Sequence, residues 1–99
     1  MLRIEQGFKY QGEDWWEWWV WIDASTEELD QIEAVTYVLH PTFAKPVRRI
    51  TDRRSKFKLE TAGGGTFVIR AKAEMKDGNT QALKHELRLE YPDGRLTTA

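Results

Sequence analysis

Apolar and polar residues alternate with a period of two along almost the whole chain, and this pattern limits the possible fold more than any other feature. Alternation of this kind is typical of β-strands that bury one face. The alternating segments are Leu2 to Tyr10, Trp15 to Asp23, Ile32 to His40, Val47 to Thr51, Phe57 to Thr61, Phe67 to Glu74 and Leu83 to Tyr91. Gly7 interrupts the first segment and is a candidate β-bulge.

Turn-forming residues separate these segments. Asp77-Gly78-Asn79 predicts a hairpin turn, and Pro92-Asp93-Gly94 closes the last strand. Ser25 followed three residues later by Glu28 is a helix-start signal, but the segment has room for only one helical turn. The pattern contains no long amphipathic helix. The sequence therefore predicts an all-β protein, an immunoglobulin-like β-sandwich of about seven to eight antiparallel strands.

The size and composition exclude several classes of protein. With 99 residues, we expect residues 1–99 to form a single domain. The chain has no cysteine, so disulfides, thiolate metal sites and cysteine nucleophiles are excluded. Its first residues lack the apolar core of a signal peptide, and no apolar stretch approaches membrane-spanning length. We therefore expect a cytoplasmic protein with no membrane partner.

Charge is segregated along the chain, although the net charge is only −1. Residues 10–44 contain eight acidic residues and no Lys or Arg, whereas residues 45–58 contain seven basic residues and one acid, Asp52. One interpretation is that neighbouring strands of opposite charge pair across a sheet. The other is a basic patch for phosphate or an acidic partner. We favour the first and do not expect nucleic acid as a partner, because aromatic residues do not interleave with the bases.

The segment His40-Pro41-Thr42-Phe43 follows the third strand directly and holds polar and aromatic side chains in a stiff loop. Pro41 ends the strand, because proline donates no ladder hydrogen bond and biases the preceding residue toward an extended backbone. An imidazole, a hydroxyl and a phenyl ring in such a loop can hold a small ligand that contains an amide. Taken alone, a histidine after a strand is more often a structural hydrogen-bonding group.

All five tryptophans lie within the seven residues from Trp15 to Trp21. One face of this strand is apolar at both ends and is assigned to the core; its residues are Trp16, Trp18, Val20 and Ile22. The other face carries the remaining indoles, which belong to Trp15, Trp19 and Trp21. Exposed aromatic side chains usually mark a binding or assembly surface. The alternative is that a loop or a neighbouring strand covers them.

The loop and the order of the strands resemble the YEATS domain family, in particular its prokaryotic (pYEATS) branch. The most specific similarity is the strand leading into His40-Pro41-Thr42-Phe43, which resembles the family's strand-His-x-Ser/Thr-Phe loop. Residues 18–22, 57–67 and 85–89 resemble, in order, the family's early Trp-containing strand, its segment through a Gly-aromatic loop and its late strand. In eukaryotic members the His loop helps to form an aromatic channel that binds acylated lysine. The resemblance also implies an immunoglobulin-like fold.

The resemblance implies roles for several residues. Phe43 would form one wall of the channel, Thr42 would hydrogen-bond the acyl amide and His40 would orient the loop. A neutral acyl-lysine suits such a site, because acylation removes a charge that is costly to desolvate. We expect the ligand between this loop, the loop Gly63-Gly64-Gly65, and the approach Glu13-Asp14-Trp15-Trp16.

The triple glycine departs from the family's pattern. In eukaryotic members an aromatic residue supplies the second wall of the channel, at a position that aligns with Gly64. Losing this wall removes about 0.5–1.5 kcal/mol of stacking, which is up to about tenfold in affinity. Whether Trp15 or Trp16 replaces the wall, and whether the channel still binds acyl-lysine, stays open at this point. The glycines can also form a flexible connection between strands.

No combination of residues predicts catalysis, a cofactor or a metal site. His85 alternates with leucines and is interpreted as a hydrogen-bonded core histidine. The two histidines are not spaced as a local metal pair, and the chain has no cysteine to complete a cluster. No serine has a general base beside it in sequence. We therefore expect no enzyme activity.

These observations lead to three hypotheses about function. The first is a non-catalytic recognition module, by resemblance a sensor or adaptor in a bacterial signalling or effector system, that binds an acylated peptide or another small ligand and works with other protein domains. The second is a protein-interaction or assembly domain that uses the exposed tryptophan face, including Trp19 and Trp21, and has no small-molecule pocket. The third, nucleic-acid binding through residues 45–58, would require a steep loss of affinity with salt.

Overall fold

The computed structural model describes residues 1–97, which contain seven β-strands and one short helix. In chain order they are β1 (Arg3–Gly12), β2 (Trp15–Asp23), α1 (Thr26–Asp30), β3 (Ile32–Val38), β4 (Val47–Ile50), β5 (Leu59–Gly63), β6 (Val68–Met75) and β7 (Thr80–Glu86). They form a three-stranded sheet in the order β1-β2-β5 and a four-stranded sheet in the order β4-β3-β6-β7. All strand pairs are antiparallel. The predicted immunoglobulin-like β-sandwich is confirmed.

One hydrophobic core lies between the two sheets. The alternate residues of β2 are fully buried in it, which confirms the assignment of Trp16, Trp18, Val20 and Ile22. Each large apolar side chain buried in this way contributes about 1.5–3 kcal/mol. From the facing sheet, Tyr37 is fully buried and donates its hydroxyl to the carbonyl of Phe57 at 2.8 Å. The Tyr37 hydroxyl is therefore hydrogen-bonded although the whole side chain is buried.

Helix α1 is the single turn that the capping signal predicts. The Ser25 hydroxyl accepts a hydrogen bond from the Glu28 amide at 3.2 Å, and the Glu28 carboxylate accepts one from the Ser25 amide at 3.1 Å. The helix docks through Leu29, which is buried. Within residues 1–97, no helix is long and apolar enough to cross a membrane.

Strand β3 ends two residues earlier than the alternation predicts. It stops at Val38, but the Leu39 amide still donates to the carbonyl of Pro46 at 2.7 Å. The extended path therefore continues up to His40, and the loop begins at the end of the sheet.

Strand β5 begins two residues later than predicted, and β7 ends earlier. Before β5, Lys56 and Phe57 both adopt the left-handed conformation, with φ of +60° and +58°, and this turn displaces the strand start to Leu59. After β7, the Leu87 amide donates to the carbonyl of Phe67 at 3.1 Å, outside the β6–β7 ladder.

The predicted bulge at Gly7 is wrong. Gly7 pairs in regular register with Trp19, and the irregularity in the β1–β2 ladder lies between Tyr10 and Gly12. A Cβ atom at Gly7 would overlap the indole of Trp19. The glycine therefore leaves space for this ring to lie against β1.

Candidate functional site

A cavity of about 470 Å³ opens where β3 leads into the His40 loop and β5 leads into the triple glycine. Its size falls within the range of about 300–1,000 Å³ that is common for ligand pockets. The residues that line it are Trp15, His40, Thr42, Phe43, Ala44, Ala62, Gly63, Gly64, Gly65, Thr66 and Phe67. The fold thus brings together every residue predicted to bind a ligand except Trp16. Four further lining residues, Ala44, Ala62, Thr66 and Phe67, were not predicted from the sequence.

Hydrogen bonds inside the loop fix the orientation of His40. The Thr42 amide donates to His40 Nδ1 at 3.3 Å, and the Thr42 hydroxyl lies 2.9 Å from the same nitrogen. The Phe43 amide donates to the His40 carbonyl at 3.0 Å, which closes a tight turn. Because Nδ1 accepts from a backbone amide, the neutral ring carries its proton on Nε2. This leaves one N–H of the imidazole available to a ligand.

Aromatic rings form the inner end of the cavity. The ring centroids of Phe43 and Phe67 lie 5.6 Å apart, and the imidazole of His40 lies 6.0 Å from Phe67. Behind them, Trp18 meets Phe43 edge-on at 6.1 Å and 86°. Such tilted and edge-to-face arrangements are favourable for aromatic pairs. Phe67 could have been found from the sequence, because it follows the triple glycine closely and starts the next alternating segment.

Gly64 packs against the turn between β1 and β2. A Cβ atom at Gly64 would stand 2.6 Å from the carbonyl oxygen of Asp14 and 3.6 Å from Cε3 of Trp15. Trp15 is 50% exposed, and within residues 1–97 its ring contacts no other aromatic ring. An aromatic side chain therefore lies beside position 64, although it comes from β2.

The β1–β2 turn is held in place from two directions. Glu13 and Asp14 both have left-handed backbone conformations, with φ of +54° and +57°. The Asp14 amide donates to the hydroxyl of Tyr10 at 3.2 Å, and the hydroxyl of Tyr91 donates to the Asp14 carboxylate at 2.6 Å. This hydrogen bond to Asp14 raises the pKa of Tyr91. The position of Trp15 is therefore set by contacts on both sides of the turn.

Trp16 does not line the cavity, and its assignment as a ligand contact is corrected. It is fully buried, because successive residues of a strand point to opposite faces and Trp15 takes the outward one. Its ring lies between those of Tyr10 and Tyr91, at 4.9 and 5.0 Å, and its Nε1 donates to the carbonyl of Glu90 at 2.8 Å. Trp16 thus packs the core under the turn.

The indole nitrogen of Trp18 is an exception to the pairing of buried polar atoms. Trp18 is fully buried, yet among the described residues its Nε1 has no hydrogen-bond partner. Leaving a buried N–H unpaired costs about 1–3 kcal/mol. The atom lies 3.7 Å from the position that a Cβ of Gly63 would take. The alternation pattern placed Trp18 on the buried face of β2, but it could not indicate that the indole N–H is unpaired.

Trp19 and Trp21 lie on the outer face of the three-stranded sheet and are half-buried. The indole of Trp19 lies against Gly7 on one side, and the ammonium group of Lys58 stands 5.6 Å from its ring centroid. Residues of the same chain therefore cover much of Trp19. For Trp19, this corresponds to the alternative in which a neighbouring strand covers the indole.

The two histidines, His40 and His85, have different surroundings. His85 is half-buried, its Nε2 lies 2.6 Å from Oε1 of Gln6, and burial lowers its pKa. This agrees with its interpretation as a hydrogen-bonded core residue. Among residues 1–97, no group of three or more His, Cys, Asp or Glu side chains could hold a metal ion.

A single ion pair links the two oppositely charged stretches within residues 1–97. Arg53 pairs with Asp30 at 2.9 Å, and in the described part of the chain this is the one ion pair that joins the basic stretch to the acidic stretch. The side chains of Arg53 and Asp30 are 38% and 58% exposed, so the pair contributes about 0–1 kcal/mol. Strands β3 and β4, one from each stretch, do pair across the sheet, as the favoured interpretation expects. Arg53 and Asp30 lie outside both strands, so their ion pair is not a cross-strand contact.

Comparison with known protein families identifies a match over most of the chain. The model of the prokaryotic YEATS domain matches residues 16–88, a range that includes the His40 loop and the triple glycine. Trp15 lies just before the matched range. No curated protein has a sequence that matches this chain.

Solved structures give the same fold. The Yaf9 YEATS domain recognising an H3K122suc peptide is 23% identical, with a TM-score of 0.68 over 89% of this chain and 70% of that one. The Yaf9 YEATS domain bound to H3K27ac is 19% identical, with a TM-score of 0.70 over 97% and 75%. The yeast AF-9 homolog protein Yaf9 is 22% identical, with a TM-score of 0.71 over 91% and 66%. At such identities the likeness concerns the fold.

Proposed function

Because the chain belongs to the prokaryotic YEATS domain family, we propose that it is a non-catalytic recognition module that binds an acylated lysine side chain in the cavity described above. The observation that carries the proposal is the cavity itself, in which Phe43, Trp15 and the His40–Thr42 pair surround one space. Two solved relatives, both Yaf9 YEATS domains, recognise succinylated and acetylated histone H3 peptides.

The chemistry of the lining suits a neutral amide on an aliphatic stem. Apolar and aromatic groups dominate the lining, and its side chains with hydrogen-bonding atoms are those of Trp15, His40, Thr42 and Thr66. A lysine ammonium would lose its hydration there without a carboxylate to pair with, whereas an acylated lysine carries no charge. The preference for acylated over unmodified lysine follows from this difference.

The His40–Thr42 pair gives the amide a specific contact. When the Thr42 hydroxyl donates to His40 Nδ1, its oxygen can still accept a hydrogen bond. The N–H of an acyl-lysine amide is a donor of the right kind for this acceptor. In this arrangement Thr42 binds the ligand, while His40 fixes the direction of the hydroxyl.

Trp15 forms the second aromatic wall of the site, which Gly64 cannot supply. It borders position 64 from the β1–β2 turn, and its ring has no aromatic partner within the described residues. The acyl group then lies between Trp15 and Phe43. The glycine at 64 is compatible with an acyl-lysine site under this proposal, because the aromatic group is supplied by another strand.

The partner is an acylated protein or peptide, and the module acts as a sensor or adaptor in a bacterial signalling or effector system together with other protein domains.

The experiment that tests the proposal is a two-dimensional amide NMR titration with acetyl-lysine and crotonyl-lysine peptides, each beside its unmodified control. We expect shifts confined to residues 40–43 and 63–65 that appear only with the acylated peptides.

Phe43→Ala should abolish these shifts while the rest of the spectrum stays folded. Absence of shifts with both acylated peptides would overturn the proposal. Concentration-dependent shifts around Trp19 and Trp21, without any peptide, would instead favour an assembly domain.

A further inference from the structure

We propose that the buried indole N–H of Trp18 is a ligand-binding group, which donates a hydrogen bond to the carbonyl oxygen of the acyl group. The proposal rests on the proposed function, because it names a contact within the same cavity. It concerns a residue that the alternation pattern assigns wholly to the core.

Two neighbouring tryptophans on one face of β2 differ in the hydrogen bonding of their indole N–H groups. Trp16 and Trp18 are both fully buried, and the N–H of Trp16 is bonded to the carbonyl of Glu90 at 2.8 Å. The N–H of Trp18 has no partner among residues 1–97. Native proteins pair nearly all buried N–H groups, so an exception calls for a reason such as a ligand.

The indole nitrogen of Trp18 lies close to residues that line the cavity. A Cβ atom at Gly63 would lie 3.7 Å from Trp18 Nε1 and 3.7 Å from Cζ of Phe43. Gly63 and Phe43 both line the cavity. The indole nitrogen therefore stands behind the part of the cavity wall that has no side chain. A side chain at 63 would begin beside both the indole nitrogen and the ring of Phe43, and glycine adds no atoms there.

Two phenyl rings of the cavity lining hold the indole of Trp18 in a fixed orientation. The indole of Trp18 meets Phe43 at 6.1 Å and Phe67 at 5.9 Å, with interplanar angles of 86° and 66°. Both phenyl rings belong to the cavity lining. The donor is held by packing before a ligand arrives, so little conformational freedom is lost when the hydrogen bond forms.

The contact also explains selectivity. An indole N–H is a donor only, and a lysine ammonium has three donors and no acceptor. An acyl carbonyl is an acceptor, so this group of Trp18 can satisfy the modified side chain but not the unmodified one. A site that hydrogen-bonds a ligand group discriminates strongly against analogues that lack it.

The experiment follows the indole N–H resonances by NMR during titration with an acetyl-lysine peptide. The Trp18 signal is assigned by its loss in Trp18→Phe, or by its contacts to the rings of Phe43 and Phe67. We expect a downfield shift of this signal with the acetylated peptide and none with the unmodified peptide. The Trp16 signal, whose N–H is already bonded, should stay in place.

A thioacetyl-lysine peptide provides a second measurement, because sulfur is a weaker acceptor than oxygen. Wild-type protein should prefer the acetyl peptide by roughly two- to tenfold, and Trp18→Phe should lose this preference. Trp16→Phe is the matched control and should keep it. If Trp18→Phe does not fold, Gly63→Ala replaces it, since its Cβ makes ordinary contacts and lies beside the indole N–H of Trp18.

The outcomes separate the two proposals. Loop shifts at residues 40–43 and 63–65 with an unmoved Trp18 signal, and an oxygen preference unchanged in the variants, would overturn the role of Trp18 and leave the proposed function intact. Absence of binding by the wild-type protein would overturn the proposed function, and the role of Trp18 with it.

Discussion

The backbone carbonyl of Asp14 occupies the space in which a side chain at Gly64 would begin. A Cβ atom at position 64 would stand 2.6 Å from this oxygen, which is closer than such atoms approach one another in proteins. The glycine is therefore a packing requirement of the β1–β2 turn and not only a lost aromatic position. The aromatic ring nearest to this point belongs to Trp15.

We expect Gly64→Ala to destabilise the protein by about 1–3 kcal/mol, because the added methyl group forces the turn or the glycine loop to move. Gly63→Ala is the matched control, since a Cβ there meets its neighbours at 3.7 Å, an ordinary contact. Urea unfolding of both variants measures the difference. Equal stability of the two variants would contradict the close approach of Asp14.

Trp15→Ala should weaken binding of an acetyl-lysine peptide by up to about tenfold, as expected for the loss of one aromatic wall. Its stability should change by no more than about 0.5 kcal/mol, because half of the side chain is exposed. Trp15→Phe should retain most of the affinity. Trp21 lies outside the cavity, so Trp21→Phe is a control for the loss of an indole. If Trp21→Phe weakened peptide binding as much as Trp15→Ala, Trp15 would not be the wall of the site.

The stability of the fold should fall on acidification through His85. Burial lowers the pKa of this histidine below its usual value of 6.5, so the folded state favours the neutral ring. Its contribution is full above 6.5 and is lost as the pH falls through 6.5 toward the lower pKa of the folded state. His85→Gln, which does not titrate, should show a smaller difference in unfolding free energy between about pH 7.5 and about pH 5.5. An unchanged difference would exclude His85 as the cause.

Gly7→Ala should cost about 1–3 kcal/mol, because its methyl group would overlap the indole of Trp19. The cost should largely vanish in a Trp19→Ala background, where the ring is absent, and a double-mutant cycle of unfolding free energies measures this coupling. Lys9→Ala, an exposed change on the same strand, should show no coupling to Trp19→Ala. Additive effects of the changes at 7 and 19 would mean that the indole does not lie against Gly7.

Local patterns predicted much of the fold. The alternation in β2 identified its core residues, the Ser25–Glu28 box identified the helix start, and Pro41 marked the loop that lines the cavity. Each of these rests on residues that are close in sequence, whose spacing decides which side they face. The ends of strands were predicted less well. For example, β5 starts after a left-handed turn at Lys56, a residue type that does not indicate such a turn.

The contacts that complete the site are made between distant parts of the chain. The sequence could not say that Asp14 packs on Gly64, that Trp15 and not Trp16 borders the cavity, or that the Trp18 N–H lacks a partner. Likewise, the bulge predicted at Gly7 was wrong. The residue opposite Gly7 is Trp19, and this is known only once the register between β1 and β2 is fixed. Such properties depend on pairing between strands and between sheets.

The close approach of Asp14 to Gly64 has a consequence for how this site can change over time. An aromatic residue at 64 and the present path of the β1–β2 turn exclude one another, so neither position can be replaced freely while the other stays. The two ways of building the second wall are alternative solutions, and passage between them requires concerted substitution in two segments. Among aligned members of the family, we expect the residue at 64 and the length of the turn before Trp15 to covary.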